Sequence, residues 1–361
     1  MADKRKITVI AVSCVILLLV GVRAYLPLAL KDYLNQVIDD IPGHAGGIED
    51  VDLNLWRGAY KVHALVIDKV EGGISEPFMD IPLLDISLNW KALLKGQLEG
   101  EILLMEPVFN FVLSASEKKE TSGEEGNWQE TLASLLPIKI DRLEVENGEF
   151  HFMDVPVEPS GETPPELVLT EAGIIVTNLR NVRQSSRQLP SLLQGFATVA
   201  GNASLETEWR FDIMSEEGEW DLSASCRNVH LPNLNGLADA YANLDFESGD
   251  LDLFLEMAIF DMRVDGYVKV LVEDLKVFSL DEENRNPLGF LWEAVSGLFV
   301  QIFENQKEDQ FAMKIPFEGE LDQTDENMLA TITSILSNAL VEAMKPGVEN
   351  SVNIEDLKND E

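Results

Sequence analysis

Residues 202–211 read NASLETEWRF, and along them an apolar or small side chain alternates with a polar one. The inner set of this alternation is Ala203, Leu205, Thr207, Trp209 and Phe211. Because successive side chains of a β-strand point to opposite faces, the period of two predicts a strand with one buried and one solvated face.

The same period of two recurs along most of the chain. It is clear at 51–55, 84–90, 220–227 and 251–257. Together with further segments, the pattern predicts about fourteen strands. The further segments are 59–69, 98–105, 107–114, 138–146, 148–154, 167–178, 263–272, 274–280 and 311–321. Continuous apolar runs, which are typical of parallel sheets, are mostly missing, so we predict a mainly β, antiparallel fold.

Helical periodicity is limited to a few segments. They are 26–41, a single turn at 91–96, a short helix at 127–136, and two amphipathic helices at 288–304 and 327–345. Such wide apolar faces must be buried. We expect the C-terminal helix pair to cap the end of the sheet and hide its edge strand, with docking on a partner as the alternative.

The N-terminal segment predicts a membrane anchor. Residues 7–22 read ITVIAVSCVILLLVGV, carry no charge and follow Lys4-Arg5-Lys6. Extended past Arg23 to residue 26, the segment is long enough to cross a bilayer of about 30 Å as a helix. The basic flank predicts a cytoplasmic N-terminus, with the bulk of the chain on the other side. A cleaved signal peptide, or a lipoprotein site ending at Cys14, are the alternatives.

Composition restricts the classes of partner. The chain has 64 acidic and 27 basic residues, which gives a net charge of −37. Such a surface repels phosphate backbones, so nucleic-acid binding is excluded. Cys14 lies in the predicted anchor, which leaves Cys226 as the single cysteine of the remaining chain and rules out an internal disulfide there.

No motif in the sequence points to catalysis, a cofactor or a metal site. The four histidines are His44, His63, His151 and His230, and none lies in a metal-binding or catalytic frame. Asp-x-Asp pairs such as 50/52 and 250/252 are explained by strand alternation, although calcium binding is the alternative. We therefore predict that the protein is not an enzyme.

A long sheet with one apolar face has to cover that face. The predicted helices are too short to cover about fourteen strands. Two architectures remain: a closed sandwich, and a sheet that curls into a trough with a partly open apolar lining. Beside a membrane anchor, such a lining favours acyl chains as its occupant.

Several sequence blocks resemble the AsmA-like envelope proteins of Gram-negative bacteria. They are LKDYLN (30–35), IPG (41–43), VDLNLWRGAY (51–60), ISLNWKALLKG (86–96), GEI (100–102), EP (106–107), GDLDL (249–253), DGYVK (265–269) and PFEG (316–319). The chain is most similar to the branch whose shared domain has no assigned function. The resemblance covers roughly residues 25 to 346.

The resemblance implies a protein of the inner membrane with its bulk in the periplasm. It also implies a curled, groove-like antiparallel sheet that binds or guides phospholipid in envelope maintenance, with other envelope proteins as partners. The alternative is a closed β scaffold or assembly protein without a lipid groove. The expected lipid-lining residues are Leu53, Leu55, Leu84, Ile86, Leu88, Leu205, Trp209, Leu222, Leu251 and Leu253.

The predicted organisation follows from these assignments. It comprises a cytoplasmic N-terminus (1–6), a transmembrane anchor (7–26), a stalk helix (27–42), an N-terminal AsmA-like β region (43–114), a linker with a short helix (115–137), a second β region (138–287), helices with the last strand (288–346) and an acidic tail (347–361).

Overall fold

A computed structural model of the chain gives its architecture. It describes residues 2–40, 43–54, 56–69, 76–112, 138–153, 166–180, 189–214, 219–242, 244–280 and 310–321, together with Ile332, Ile335, Leu336 and Ala339. The predicted helices at 127–136 and 288–304, the linker and the acidic tail lie outside these residues.

The described residues form a mainly β protein with few helices. The helices are α1 (Ala2–Asp39), α2 (Trp90–Leu93), a 3-10 helix (Leu231–Leu234) and α3 (Asn235–Ala242). The strands are β1 (His44–Gly47), β2 (Asp50–Asn54), β3 (Ala59–Lys69), β4 (Met79–Leu88), β5 (Leu98–Met105), β6 (Val108–Val112), β7 (Ile138–Met153), β8 (Glu166–Arg180), β9 (Ser191–Val199), β10 (Ala203–Phe211), β11 (Trp220–His230), β12 (Leu244–Phe260), β13 (Arg263–Leu280) and β14 (Gln310–Glu320).

All of these strands belong to one sheet. The hydrogen-bonded order is β1-β3-β4-β5-β7-β8-β9-β10-β11-β12-β13-β14, with β2 on β3 and β6 between β4 and β7. The prediction of an antiparallel sheet is confirmed except at one place, because β7 pairs in parallel with β5 and β6. Parallel neighbours need a crossover of a dozen or more residues, and residues 113–137 provide that length.

Two predicted strand breaks are wrong for the same reason. The chain does not turn at Asn147 or at the predicted break just before Asp274, and β7 and β13 each run through as one long strand. Both residues adopt positive φ, 54° and 51°, within β-bulges. An Asn or Asp that tolerates the left-handed region serves a bulge as well as a turn, so the sequence signal is ambiguous.

Bulges on several strands give the sheet its curl. The register shifts between Val145 and Gly148 in β7, between Thr170 and Gly173 in β8, and between Cys226 and Val229 in β11. Each bulge adds a residue to one strand, bends it and increases its twist. Repeated across the sheet, these bends produce a curled surface rather than a flat one.

Two strands and one helical segment were not predicted. β1 (HAGG) and β9 (SLLQGFATV) lack a clean alternation of apolar and polar residues. The 3-10 helix and α3 follow β11 directly and place Leu231 and Ala238 against the sheet. Pro232 near the start and the spacing of Leu231, Leu234 and Ala238 were the available signals for a helix.

Helix α1 runs along the first strands and is fixed to them by polar contacts. Arg23 Nη1 donates to the Leu53 carbonyl at 2.6 Å, and Lys31 Nζ donates to the Glu49 carbonyl. The Ile48 amide donates to Asn35 Oδ1 at 2.8 Å. Helix α1 is therefore antiparallel to β2, and its N-terminal part extends past the end of β2 at Asn54.

Among the described residues, no helix has both the length and the apolar character needed to cross a membrane. Most side chains of the predicted anchor at 7–26 lie outside the described part of the chain. The predicted helix at 327–345 is supported at its four described positions, all of which are helical.

Gly266 tests the packing of the curled sheet. A Cβ at Gly266 would lie 2.4 Å from the Glu256 carbonyl oxygen and 2.5 Å from the Phe317 ring. We expect Gly266→Ala to lower the free energy of unfolding by about 1–3 kcal/mol in urea titrations, as overpacked sites do.

The matched control is Gly236→Ala, since a Cβ at Gly236 in α3 meets nothing within 4 Å. Alanine in a helix is about 1 kcal/mol better than glycine, so this variant is expected to be as stable as the parent or more so. Equal effects at the two positions would contradict the packing of β12, β13 and β14.

Candidate functional site

One face of the sheet carries unbroken rows of apolar side chains. Directly paired residues lie on the same face, so the strand register identifies each row. One row crosses from β2 to β14 through Leu53, Tyr60, Ile86, Ile102, Leu143, Val176, Leu193, Trp209, Leu222, Met257, Gly266 and Phe317. We call this side of the sheet the apolar face.

The structure places the predicted lining residues together on this apolar face. The described members are Leu53, Leu84, Ile86, Leu88, Leu205, Trp209, Leu222, Leu251 and Leu253. Leu55 lies outside the described residues. Leu251 is buried, whereas the other eight are half-buried. Most of the predicted lining therefore keeps some accessible surface.

Three helical covers pack on the apolar face at separate places. At the first strands, Leu30, Leu34 and Ile38 of α1 cover Val51 and Val62. Over β10 to β13, Leu231 and Ala238 pack on a second group that includes Leu205, Leu251 and Leu253. Near β14, the helical residues Ile332, Ile335 and Leu336 cover a third group that includes Met257 and Phe317. The third contact fits the predicted C-terminal cap.

A ladder of four phenylalanines was missed by the sequence analysis. Phe109 stacks on Phe150 with ring centroids 5.2 Å apart, and Phe111 stacks on Phe152 at 5.1 Å. Phe150 and Phe152 pair with Leu169 and Leu167, which belong to the apolar face. All four rings are half-buried. Their period of two was visible, but the parallel pairing that brings β6 to β7 was not.

Trp209 lies at the centre of a second aromatic group. Its ring is 4.6 Å from Phe211 and 5.0 Å from Trp220. Its Nε1 is buried and has no hydrogen-bond partner in the part of the chain that the structure describes. A buried indole N–H that lacks a hydrogen-bond partner carries a desolvation cost.

The opposite face is polar and holds a shallow groove of about 780 Å³. Outward side chains from β7 to β13 line it, including Glu144, Gln194, Glu208 and Glu256. Several of these groups are already paired. Arg142 donates to Glu144 at 2.7 Å, and Arg210 and Gln194 donate to Glu208. Ile175, Phe196, Phe254 and Leu255 also line the groove, so its lining combines apolar and charged side chains.

Three of the histidines lie on strands and pair with carboxylates on the polar face, and His151 lies near a second carboxylate, 3.5 Å from Glu149. His63 is 3.1 Å from Asp52, His230 is 3.1 Å from Asp250, and His151 is 2.6 Å from Glu166. No group of three or more His, Cys, Asp or Glu residues that could hold a metal ion occurs among the described residues.

Burial shifts two titratable groups on the apolar face. It raises the pKa of the Cys226 thiol, and the nearby Asp252 charge raises it further. Burial also raises the pKa of the Tyr60 hydroxyl. In both cases the low-polarity surroundings disfavour the charged form, as expected of side chains that belong to an apolar surface.

The chain was also compared with known proteins. No protein-family model matches it, and no curated protein sequence matches it either.

The raised pKa of Cys226 predicts slow alkylation. We expect iodoacetamide at pH 8.5 to modify Cys226 about tenfold more slowly in the folded protein than in urea, because the thiolate is the reactive species. The measurement is mass spectrometry of a Cys14→Ser variant over time. Above a pH of about 8.5, the unfolded thiol ionises first, so stability should also fall with pH there. Equal alkylation rates would place Cys226 outside the apolar face.

Proposed function

We propose that this protein binds phospholipid acyl chains on the apolar face, as an AsmA-like protein of the bacterial envelope. It would hold or guide lipid beside the inner membrane and would not act as an enzyme. The observation that carries the proposal is the continuous apolar row from Leu53 to Phe317, which crosses the sheet without a charged residue.

The exposure of that row supports lipid binding over a sealed core. Ile86, Ile102, Leu193 and Trp209 are half-buried although they lie on the apolar face. Apolar area removed from water contributes about 25 cal/mol per Å², so an acyl chain laid along these side chains is strongly favoured. The half-buried Phe ladder extends the same surface beyond the bulges.

A closed scaffold is the second candidate. The three helical covers favour it, because they already bury Val51, Leu251 and Met257 on the apolar face. In this case the face would be an ordinary core, and the protein would act by assembling other envelope proteins. The two candidates differ in whether the purified protein carries lipid.

The size of the sheet limits the proposal to one membrane. Its hydrogen-bonded path has twelve strands. At about 4.8 Å per strand, the path is about 53 Å long. One copy is therefore too short to carry lipid across a periplasm without partners, and handling of lipid at the inner membrane is the function we propose.

Membrane anchoring is part of the proposal and is supported by the sequence at 7–26. With the cytoplasmic basic flank at Lys4-Arg5-Lys6, the bulk of the chain lies in the periplasm. A reporter that is active only in the periplasm should be active when fused at Lys345, whereas one that is active only in the cytoplasm should be silent. The opposite pattern would contradict this topology.

Native mass spectrometry tests the lipid proposal directly. We expect phospholipid to remain bound when the protein, extracted from membranes in mild detergent, is released into the gas phase. Extensive exchange into a lipid-free detergent is the control for loosely associated lipid. A protein that is always free of lipid, yet fully folded, would favour the scaffold.

A pair of charge substitutions in one strand identifies the lipid-binding face. Ile86 lies on the apolar face, whereas Leu83 in the same strand lies on the polar face, and both are half-buried. We expect Ile86→Glu to remove bound lipid and Leu83→Glu to retain it, because a carboxylate is costly beside acyl chains. Thermal unfolding verifies that both variants stay folded. Equal lipid content in the two folded variants would overturn the proposal.

A further inference from the structure

An exposed apolar and basic surface lies at one end of the first strands. We call it the tip patch and define it by the turn after β2 and by α2 with its end. Its members are Trp56, Arg57, Trp90, Lys91, Leu93, Leu94 and Lys95. Trp56 is 95% exposed and Leu94 is 86% exposed. Large apolar side chains that lie this open beside cations are typical of a binding surface.

Specific contacts hold the two loops of the tip patch together, although its apolar side chains face outward. The Trp90 ring lies over Gly58, where a Cβ would be 2.8 Å from the indole Nε1. Gly58 has a φ of +68°, and its carbonyl accepts from the Leu88 amide at 2.8 Å. Asn89 caps α2 by accepting from the Lys91 and Ala92 amides. These contacts join the two loops into one unit.

The charge of the tip patch is opposite to that of the whole chain. Residues 53–67 and 86–98 contain no Asp or Glu, although acidic residues make up 64 of the 361 in the chain. The same two stretches carry Arg57, Lys61, Lys91 and Lys95. Lys61 pairs with Asp85 at 3.4 Å, so the cations of the patch itself are the other three. A local basic surface on a protein of charge −37 attracts an anionic partner.

The position of the tip patch relates it to the membrane. Arg23 of α1 donates to the Leu53 carbonyl, next to the turn that holds Trp56. The part of α1 that precedes Arg23 continues for more than 20 residues beyond this contact, which is a length of about 30 Å. The helix therefore leaves the sheet at the level of the tip patch.

We propose that the tip patch docks on the headgroup layer of the anionic membrane that anchors α1. Trp56 and Trp90 lie at the depth where indole rings favour the interface, with Leu93 and Leu94 inserted beneath them. Arg57, Lys91 and Lys95 bind lipid phosphates. This docking holds the first strands of the sheet against the membrane surface.

A membrane fits the tip patch better than a protein partner does. Tryptophan, leucine and lysine together on one exposed surface match the amphipathic character of a headgroup layer, with an apolar side below and phosphates around. The α1 helix also brings the patch to that layer without a further binding event. The inference rests on the membrane anchoring proposed above, and it is independent of whether lipid occupies the apolar face.

Site-specific fluorescence in vesicles tests the docking. The full chain with Cys14→Ser and Cys226→Ala carries a single label through Leu94→Cys, and is reconstituted in vesicles of phosphatidylethanolamine and phosphatidylglycerol. A nitroxide lipid with its spin label in the upper acyl chain should quench this fluorophore, because the label lies within the interface. Flotation of the vesicles checks separately that the chain is anchored.

The matched control is Phe260→Cys in the same background. Phe260 is also apolar and exposed and lies at the same end of the strands. It is in β12, seven strands along the path from β4, or about 34 Å along the sheet. Its label should not be quenched by the nitroxide lipid.

Charge reversal tests the basic part of the tip patch. In the labelled chain, we expect Lys91→Glu or Lys95→Glu to lower the ratio of docked to undocked protein, read from quenching of the label at position 94. The expected decrease is about fivefold or more, the effect of one basic side chain at an anionic surface. Lys276→Glu, at an exposed site on β13, should leave the ratio unchanged.

Three results would overturn the inference. If the chain floats with the vesicles but the label at position 94 is quenched no more than that at 260, the anchor stands and the docking fails. If shielding of the label at position 94 from solvent depends on protein density and not on anionic lipid content, the patch binds another copy of the protein. If the chain does not float, both the anchoring and the docking are wrong.

Discussion

The structure depends on one constraint, which is that the register between strands keeps the apolar side chains of the row from Leu53 to Phe317 on the same face. A slip of one residue on any strand would move its whole apolar set to the polar side. The row from Leu53 to Phe317 crosses the sheet without such a slip at its own level. The bulges at Asn147, Glu171 and Asn228 lie away from this row, whereas the register shift between Gly100 and Glu101 in β5 lies beside it. The sheet thereby bends without dividing its apolar surface.

That constraint creates a single large apolar surface, which helices of the same chain cover in part. Helix α1, the segment from Leu231 to Ala238, and the helix around Ile335 each cover one part. Between them the side chains keep accessible area. The polar face carries its own groove, which is lined by carboxylates such as Glu144, Glu208 and Glu256 together with apolar side chains. In our account, lipid completes the cover that the helices begin.

Strand bounds were predicted correctly from the sequence where a strand has one solvated face and one buried face. Strand β10 has the predicted bounds because its alternation is clean. The prediction failed where local signals are ambiguous, as at Asn147, and where alternation is weak, as in β9. The shared face of Leu84, Leu205 and Leu253 follows from period two in each strand. The Phe ladder and the tip patch depend on which segments become neighbours, and no local pattern contains that information.

Photo-crosslinking from adjacent positions of one strand tests the central claim most directly. Leu193 lies on the apolar face and Gln194 on the polar face of β9. A photoreactive amino acid placed at each site in cells would be irradiated, and the purified protein would be analysed for lipid adducts by mass spectrometry. The account predicts phospholipid adducts from position 193 and none from position 194. Adducts from neither site, or equally from both, would contradict it.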